Sequence, residues 1–211
     1  EETNMIKAFT DGIDIHTATA AKVFKVDNIE DVTSEQRRSA KAVNFGIIYG
    51  QSAFGLAQNL GIKRKEAKEI IESYFDQYPK IKDYMASSVE FARENGYVET
   101  IMKRRRYLKD INSANAIVRG FSERNAVNAP IQGSAADVIK IAMIKVDKAM
   151  KKANLKSRML LQVHDELVFD VENSEKEILQ QIVKENMESA VSLVVPLDIE
   201  QKIAGDWLEA H

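Results

Sequence analysis

Two sets of side chains in this 211-residue chain could do chemistry on phosphates. The first is His164-Asp165-Glu166, three polar residues between the apolar runs Met159–Val163 and Leu167–Val171. Adjacent carboxylates repel each other, so a turn alone does not explain them. Hard oxygen ligands at a strand tip suit a divalent cation. The second set is Arg37, Lys41, Phe45 and Tyr49, one at every fourth position. In a helix each such step drifts by ~40°, so the four form one slowly winding stripe, cations first and aromatics after. Arg37, Arg38 and Lys41 would then lie near the positive end of the helix dipole, where anions are favoured. A bound polyphosphate resolves that conflict, because helix end and side chains both favour it. The aromatic end offers flat faces on which a base or sugar can stack. The plainer alternatives are an acidic solvated turn and an amphipathic helix with Phe45 and Tyr49 in the core.

Other candidates are weaker taken singly. Arg124 and Asn128 share a helix face, and Gln132 lies close to the same line. Arg, Asn and Gln are the set that reads nucleic-acid edges by hydrogen bonds. Lys103-Arg104-Arg105-Arg106 is the densest basic run, suited to backbone phosphates or to a solvated loop. His16 opens a helical stretch, where a lone His is ordinarily surface or cap.

The elements that must position these residues follow from pattern. Helical signals run through residues 4–24, broken at Asp11-Gly12. Thr33 and Gln36 form a capping-box pattern that opens the stripe helix, which runs to about Gly50. Further helices are expected over Ala53–Leu60, Lys63–Tyr78 and Ile81–Glu94, punctuated by Gly61 and Pro79. Gly46 and Gly50 leave room for close approach of another group. Gly96–Thr100 reads as a short strand leading into the basic run. Asn112–Ala129 reads as a helix ending before Pro130, and Ser134 with Asp137 as the cap of the next, which places Gln132 at a helix start. The hairpin comes next, then a helix capped by Ser174, then a strand near Pro196–Ile203.

Composition sets bounds. At 45% hydrophobic the chain can bury a core, and no run approaches the ~20 apolar residues of a membrane span. There is no Cys, which excludes disulfides and thiolate metal sites. The first residue is Glu1 rather than Met, as expected of a piece of a longer protein. Net charge is −2, but Asp165–His211 holds 12 acidic and 3 basic residues, leaving 20 acidic and 27 basic in residues 1–164. A basic body beside an acidic tail is the footprint of a polyanion site next to a metal-binding end.

Three ordered stretches resemble one family. Arg37 to Gly50 is similar to the family A DNA polymerase motif R-x-x-x-K-x-x-x-F-x-x-x-Y-G, Gln162-Val163-His164-Asp165-Glu166 to its second carboxylate motif, and Asn128 to Asp137 to its template–primer segment. The ending Trp207-Leu208-Glu209-Ala210-His211 is similar to that of bacterial members. The resemblance covers essentially the whole chain.

It implies a mainly helical α+β fold: fingers helices over residues 1–110, and an incomplete antiparallel palm sheet within 111–211, in a right-hand polymerase. Arg37, Lys41, Phe45, Tyr49 and His16 would bind the deoxynucleoside triphosphate. Arg124, Asn128, Gln132, His164 and Arg105 would contact primer–template DNA. Asp165 and Glu166 would hold metal in a site of two Mg²⁺ ions, and Lys41 would protonate the leaving pyrophosphate. A DNA replication and repair enzyme of the bacterial cytoplasm, associated with the nucleoid and not with membrane, is implied. RNA polymerases of the phage or mitochondrial type share a similar helix and His-Asp pair, but Phe45 and Glu166 favour DNA synthesis. Two departures stand out: Lys103 where relatives commonly carry Gly in a tight turn, and Lys109 where Pro is common. The family's upstream Asp-Tyr-Ser-x-Ile-Glu-Leu-Arg motif has no counterpart here. The resemblance therefore implies an inactive fragment, with an unpaired sheet edge open to self-association. The alternative behaviour is a nucleotide- or DNA-binding module without catalysis.

Overall fold

The computed structural model describes residues 2–210; Glu1, and His211 of the C-terminal ending, lie outside the described residues. The chain divides into two compact units, one up to Ile131 and one from Gln132.

The first unit opens with α1 (Thr3–Thr10) and α2 (Ile15–Val23), separated at Asp11-Gly12 as the sequence indicates. α3 (Ser34–Ile48) begins at the expected capping box: Thr33 accepts from the Gln36 backbone N–H, and the Gln36 side chain accepts from the Thr33 N–H. α4 (Ala53–Leu60) ends at Gly61, whose φ of +68° is the left-handed cap that glycine takes without strain. α5 (Arg64–Gln77) and α6 (Pro79–Asn95) meet at Tyr78-Pro79, with the proline in the first helical position, where no hydrogen-bonded N–H is needed. Val43, Ile47, Leu56, Ile70 and Tyr74 from α3, α4 and α5, with Tyr78 at the α5–α6 junction, make one buried cluster.

β1 (Tyr97–Glu99) and β2 (Arg105–Tyr107) form an antiparallel hairpin with Tyr97 opposite Tyr107 and Glu99 opposite Arg105. Between them Lys103 takes φ +63°, so this Lys does adopt the left-handed turn conformation for which glycine is the unstrained choice. A second cluster gathers Ala92, Val98, Leu108, Ile111, Ala126 and Ala129.

α7 (Ala116–Lys152) corrects the expected break at Pro130: it is a single 37-residue helix with that proline inside. An interior proline forfeits one backbone hydrogen bond and costs ~3 kcal/mol or more. Burial on both sides outweighs that, with Ala126 and Ala129 before it and Ala142, Val146 and Met150 after it. Ser134 is therefore not a cap, and Gln132 lies inside a helix rather than at its start.

The second unit adds β3 (Arg158–Val163) and β4 (Glu166–Asp170), antiparallel, with Val163 opposite Glu166 and a register shift between Met159 and Leu161. The turn is thus His164-Asp165, and Glu166 already belongs to a strand. α8 (Lys176–Glu188) follows a short 3-10 turn, Asn173–Glu175. Ser174 does not cap it. The neighbouring Glu175 carboxylate instead accepts from the Lys156 and Ser157 backbone N–H groups and the Ser157 hydroxyl at 2.7–3.0 Å. Residues 196–203 are not a strand: among the described residues β3 and β4 pair only with each other. A strand-like pattern there finds no ladder to join. Val146, Met150, Leu179 and Val183 form this unit's core. A four-residue helix, α9 (Trp207–Ala210), ends the described chain. The fold is mainly helical with two small antiparallel sheets. No described helix is long and apolar enough to cross a membrane.

Candidate nucleotide and nucleic-acid site

α3 buries one face and presents the other. Ala40, Val43, Asn44 and Ile47 point inward, while Arg37, Lys41, Phe45 and Tyr49 are all exposed. Phe45 retains 43% and Tyr49 39% of their surface, so the core reading of these aromatics is overturned. Their rings stack at 6.0 Å with 24° between planes, and the His16 ring stands 5.7 Å from Phe45. Aromatic faces left in water beside cations are costly unless something covers them.

Asp14, which sequence reasoning missed, organises the cationic end. It caps α2 by accepting from the Thr17 backbone N–H at 2.7 Å and from the Thr17 hydroxyl at 3.1 Å. Its other oxygen accepts from Arg37 Nε at 3.2 Å and Nη2 at 2.5 Å. Burial pushes the Asp14 carboxyl up, but the bonds from Arg37 and Thr17 outweigh it and hold its pKa down at about 2. In this structure Asp14 answers the Arg37 charge that the helix dipole disfavours. The Asp-x-x-Thr spacing is a recognisable cap signal; the tertiary pairing with Arg37 has none. Lys41 forms no ion pair among the described residues. His16 is half-buried and its pKa is lowered: burial acts first, and the nearby Arg37 and Lys41 charges add to it against Asp14.

The C-terminal end of α3 reaches a second group of candidates. Gly50 has φ +74°, and a Cβ there would meet Arg124 Cγ at 3.2 Å. The Arg124 stem therefore packs on bare backbone beside Tyr49. Gly46 likewise makes room, for the side chain of Gln51. Asn128 lies one turn beyond Arg124 on α7, half-buried, with its Oδ1 sealed from solvent and unpaired. Gln132 is exposed further along the same helix, in the second unit.

The basic run is not a free loop. Arg105 pairs with Glu99 at 2.9 Å and lies over the Tyr97 ring at 4.3 Å, and Arg106 donates to Asn125 at 3.3 Å. Lys103 reaches Glu99 at 3.6 Å. Arg105 thus spends much of its donor capacity inside the hairpin.

In the second unit His164, Asp165 and Glu166 are exposed. His164 takes φ +53°, a turn position where β-hairpins ordinarily carry Gly or Asn, and Gln162 Nε2 donates to its carbonyl. Among the described residues no three His, Asp or Glu gather as a metal site. Asp165 and Glu166 still fit Mg²⁺ in donor type, since that ion commonly takes one or two carboxylates and completes its octahedron with phosphates and water.

A helical unit presents an exposed cation–aromatic face, and a hairpin in the other unit carries adjacent carboxylates. Residues 1–209 match the model for DNA polymerase family A, and the chain belongs to that family. It is 54% identical over 210 residues to DNA polymerase I of Streptococcus pneumoniae (strain TIGR4), covering 100% of this chain and 24% of that one. Against DNA polymerase I of Bacillus subtilis (strain 168) the identity is 51% over 210 residues, with the same shares covered. Among solved structures it is similar to the POL domain of Pol1 from M. smegmatis in complex with DNA primer-template and dNTP. The TM-score is 0.90 at 50% identity, covering 93% of this chain and 35% of that one. The chain spans about a quarter of the length of the curated relatives it matches.

Proposed function

We propose that this chain supplies the nucleotide-binding face and one carboxylate strand of a template-directed DNA polymerase acting in replication and repair. The observation that carries the reading is the exposed stripe Arg37–Lys41–Phe45–Tyr49, held outward by a buried face and flanked by His16. Residues 1–110 serve as fingers and 111–211 as part of the palm.

In this reading the triphosphate of a deoxynucleotide lies along Arg37 and Lys41, with His16 beside it. Phe45 packs on the sugar and Tyr49 borders the template base. Arg124, Asn128 and Gln132 follow the minor groove at the primer end, with His164 near the primer terminus and Arg105 toward the backbone. The primer 3′-hydroxyl gives up its proton to solvent as its oxygen attacks the α-phosphate in line; the bond from the α-phosphorus to the β-phosphate oxygen breaks, and pyrophosphate leaves with a proton from Lys41. Asp165 and Glu166 are the residues of this chain that would hold Mg²⁺. Bound there with substrate, that metal supplies charge stabilisation for the attacking and leaving oxygens. Asp165 and Glu166 come from one strand tip, whereas clamping both oxygens of the displacement takes metal ligands from a second segment, so in this reading the chain by itself lacks polymerase activity and behaves as a binding module.

The test uses the intact enzyme. Lys41→Ala lowers single-turnover incorporation by about 10²–10⁴-fold, the usual range for a general acid. Arg37→Ala weakens nucleotide binding by roughly 10–150-fold, the value of a charged hydrogen bond. Unchanged single-turnover kinetics in both variants would remove the nucleotide from this face.

A further inference from the structure

Asn44 is the odd residue on the inward face of α3. Ala40, Val43 and Ile47 share that face, and Asn44 itself is only 4% exposed. A buried amide is costly unless its polar atoms are bonded. Both of its ends are used. Oδ1 accepts from the Thr19 hydroxyl at 3.0 Å, and Nδ2 lies 2.9 Å from His16 Nδ1. Thr19 is itself buried; its hydroxyl also reaches the Ile15 carbonyl at 2.8 Å, and the Tyr78 hydroxyl is a further partner. The Thr19 hydroxyl has one proton for these acceptors; the Ile15 carbonyl is already served by the α2 backbone ladder, whereas Asn44 Oδ1 has Thr19 as its donor, so the proton placed on Asn44 sets which way the amide points.

An amide –NH₂ only donates, so the His16 nitrogen that faces it must accept. A neutral imidazole that accepts at Nδ1 carries its proton on Nε2. An imidazolium would set one donor against another at this contact. Of the charged groups facing the ring, Asp14 favours protonation, while Arg37 and Lys41 oppose it.

We propose that Asn44, oriented by Thr19, is a positioning residue that holds His16 as the neutral Nε2–H tautomer, leaving one N–H donor for a phosphate oxygen of a triphosphate on the α3 stripe. This rests on the nucleotide reading of that stripe. The phosphate oxygen is charged, so this bond is still charge-assisted, but a neutral imidazole adds no positive charge to the site. His16 then orients the phosphate, while Arg37 and Lys41 supply the charge.

The experiment is ¹⁵N–¹H NMR of the imidazoles in the full chain, whose three histidines are told apart with a His16→Gln variant. The expected result is an Nε2–H tautomer for His16 that titrates below its ordinary value. Asn44→Asp replaces the amide donor with a carboxylate that only accepts; it shifts His16 to Nδ1–H and raises its titration point. A buried carboxylate could unfold the chain, so Thr19→Val is the second variant. It removes the hydroxyl that orients the amide, and both tautomers then appear. Melting curves confirm that each variant is folded. An Nδ1–H tautomer in the unaltered chain overturns the proposal, as does a folded variant with tautomer and titration unchanged. Inorganic tripolyphosphate is the ligand probe, and it should raise the His16 titration point. If the tautomer is as proposed and tripolyphosphate has no effect, the phosphate role and the nucleotide reading fall together, while the Asn44–His16 arrangement stands.

Discussion

Single residues here carry charge and strain that can be measured apart from catalysis. Asp14 is held at about pKa 2 in the folded chain against 3.8 as its ordinary value. Its contribution is therefore fully present above pH 3.8 and lost as pH falls through about 2. Asp14→Ala costs about 1 kcal/mol at neutral pH, chiefly as the lost cap of α2. The Arg37 partner adds little in water. The gap in stability between the two proteins, read from urea melts, should close between about pH 4 and pH 2; a gap unchanged across that window would contradict a carboxylate held ionised by its cap and Arg37 bonds. Lys103 stores strain of roughly 1–2 kcal/mol at its positive φ, offset in a glycine variant by about 0.4–1 kcal/mol of extra unfolded-state entropy. Lys103→Gly should thus raise stability by about 1 kcal/mol, read as a higher denaturation midpoint. A lower midpoint would mean that the exposed 3.6 Å pair with Glu99 outweighs the strain.

At the scale of elements, Gly50 couples the end of α3 to Arg124. A Cβ at Gly50 meets strain from φ +74° and crowding from Arg124, whereas one at Gly61 meets φ +68° and open space. Both Ala variants should lose roughly 1–2 kcal/mol from backbone strain. Only Gly50→Ala should also displace Arg124 and, in the intact enzyme, weaken primer–template binding. Equal binding by the two variants would disconnect Arg124 from Gly50. The sequence announces such elements unevenly. α4 and the α3 capping box are legible because their signals are local: Gly61 after an apolar run, and Thr33 with Gln36. The stripe is legible as spacing, but its exposure is not. α7 was misread at Pro130 because burial of Ala126, Val146 and Met150 outweighs a local breaker, and sequence pattern does not price burial. Ser174 was misread for the opposite reason: Glu175 found tertiary donors in Lys156 and Ser157. The His16–Asn44–Thr19 arrangement was invisible, since it joins residues 25 and 28 positions apart.

At the scale of the whole molecule, the proposed metal-binding and phosphate-binding roles differ in how fully the described residues supply them. The phosphate side has Arg37, Lys41 and His16 on packed helices. The metal side has two consecutive carboxylates, and no described trio of ligands gathers around them. Asp165 is in the turn and Glu166 opens β4, and both are exposed. β3 and β4 form a two-stranded sheet, which is marginal alone, and Leu160 and Leu161 stand 57% and 42% exposed on it. The edges of such a sheet invite pairing with a second copy. A single experiment addresses both points. The purified chain, at several concentrations, is given primer–template, Mg²⁺ and all four deoxynucleotides, and its sedimentation is followed in parallel. Association should rise with concentration and fall in Leu160→Lys, while primer extension stays absent at every concentration. Two copies bring more Asp165 and Glu166 side chains but no differently placed ligand, so association does not rescue activity. Sustained extension abolished by Asp165→Ala would mean that these carboxylates suffice for a complete metal site.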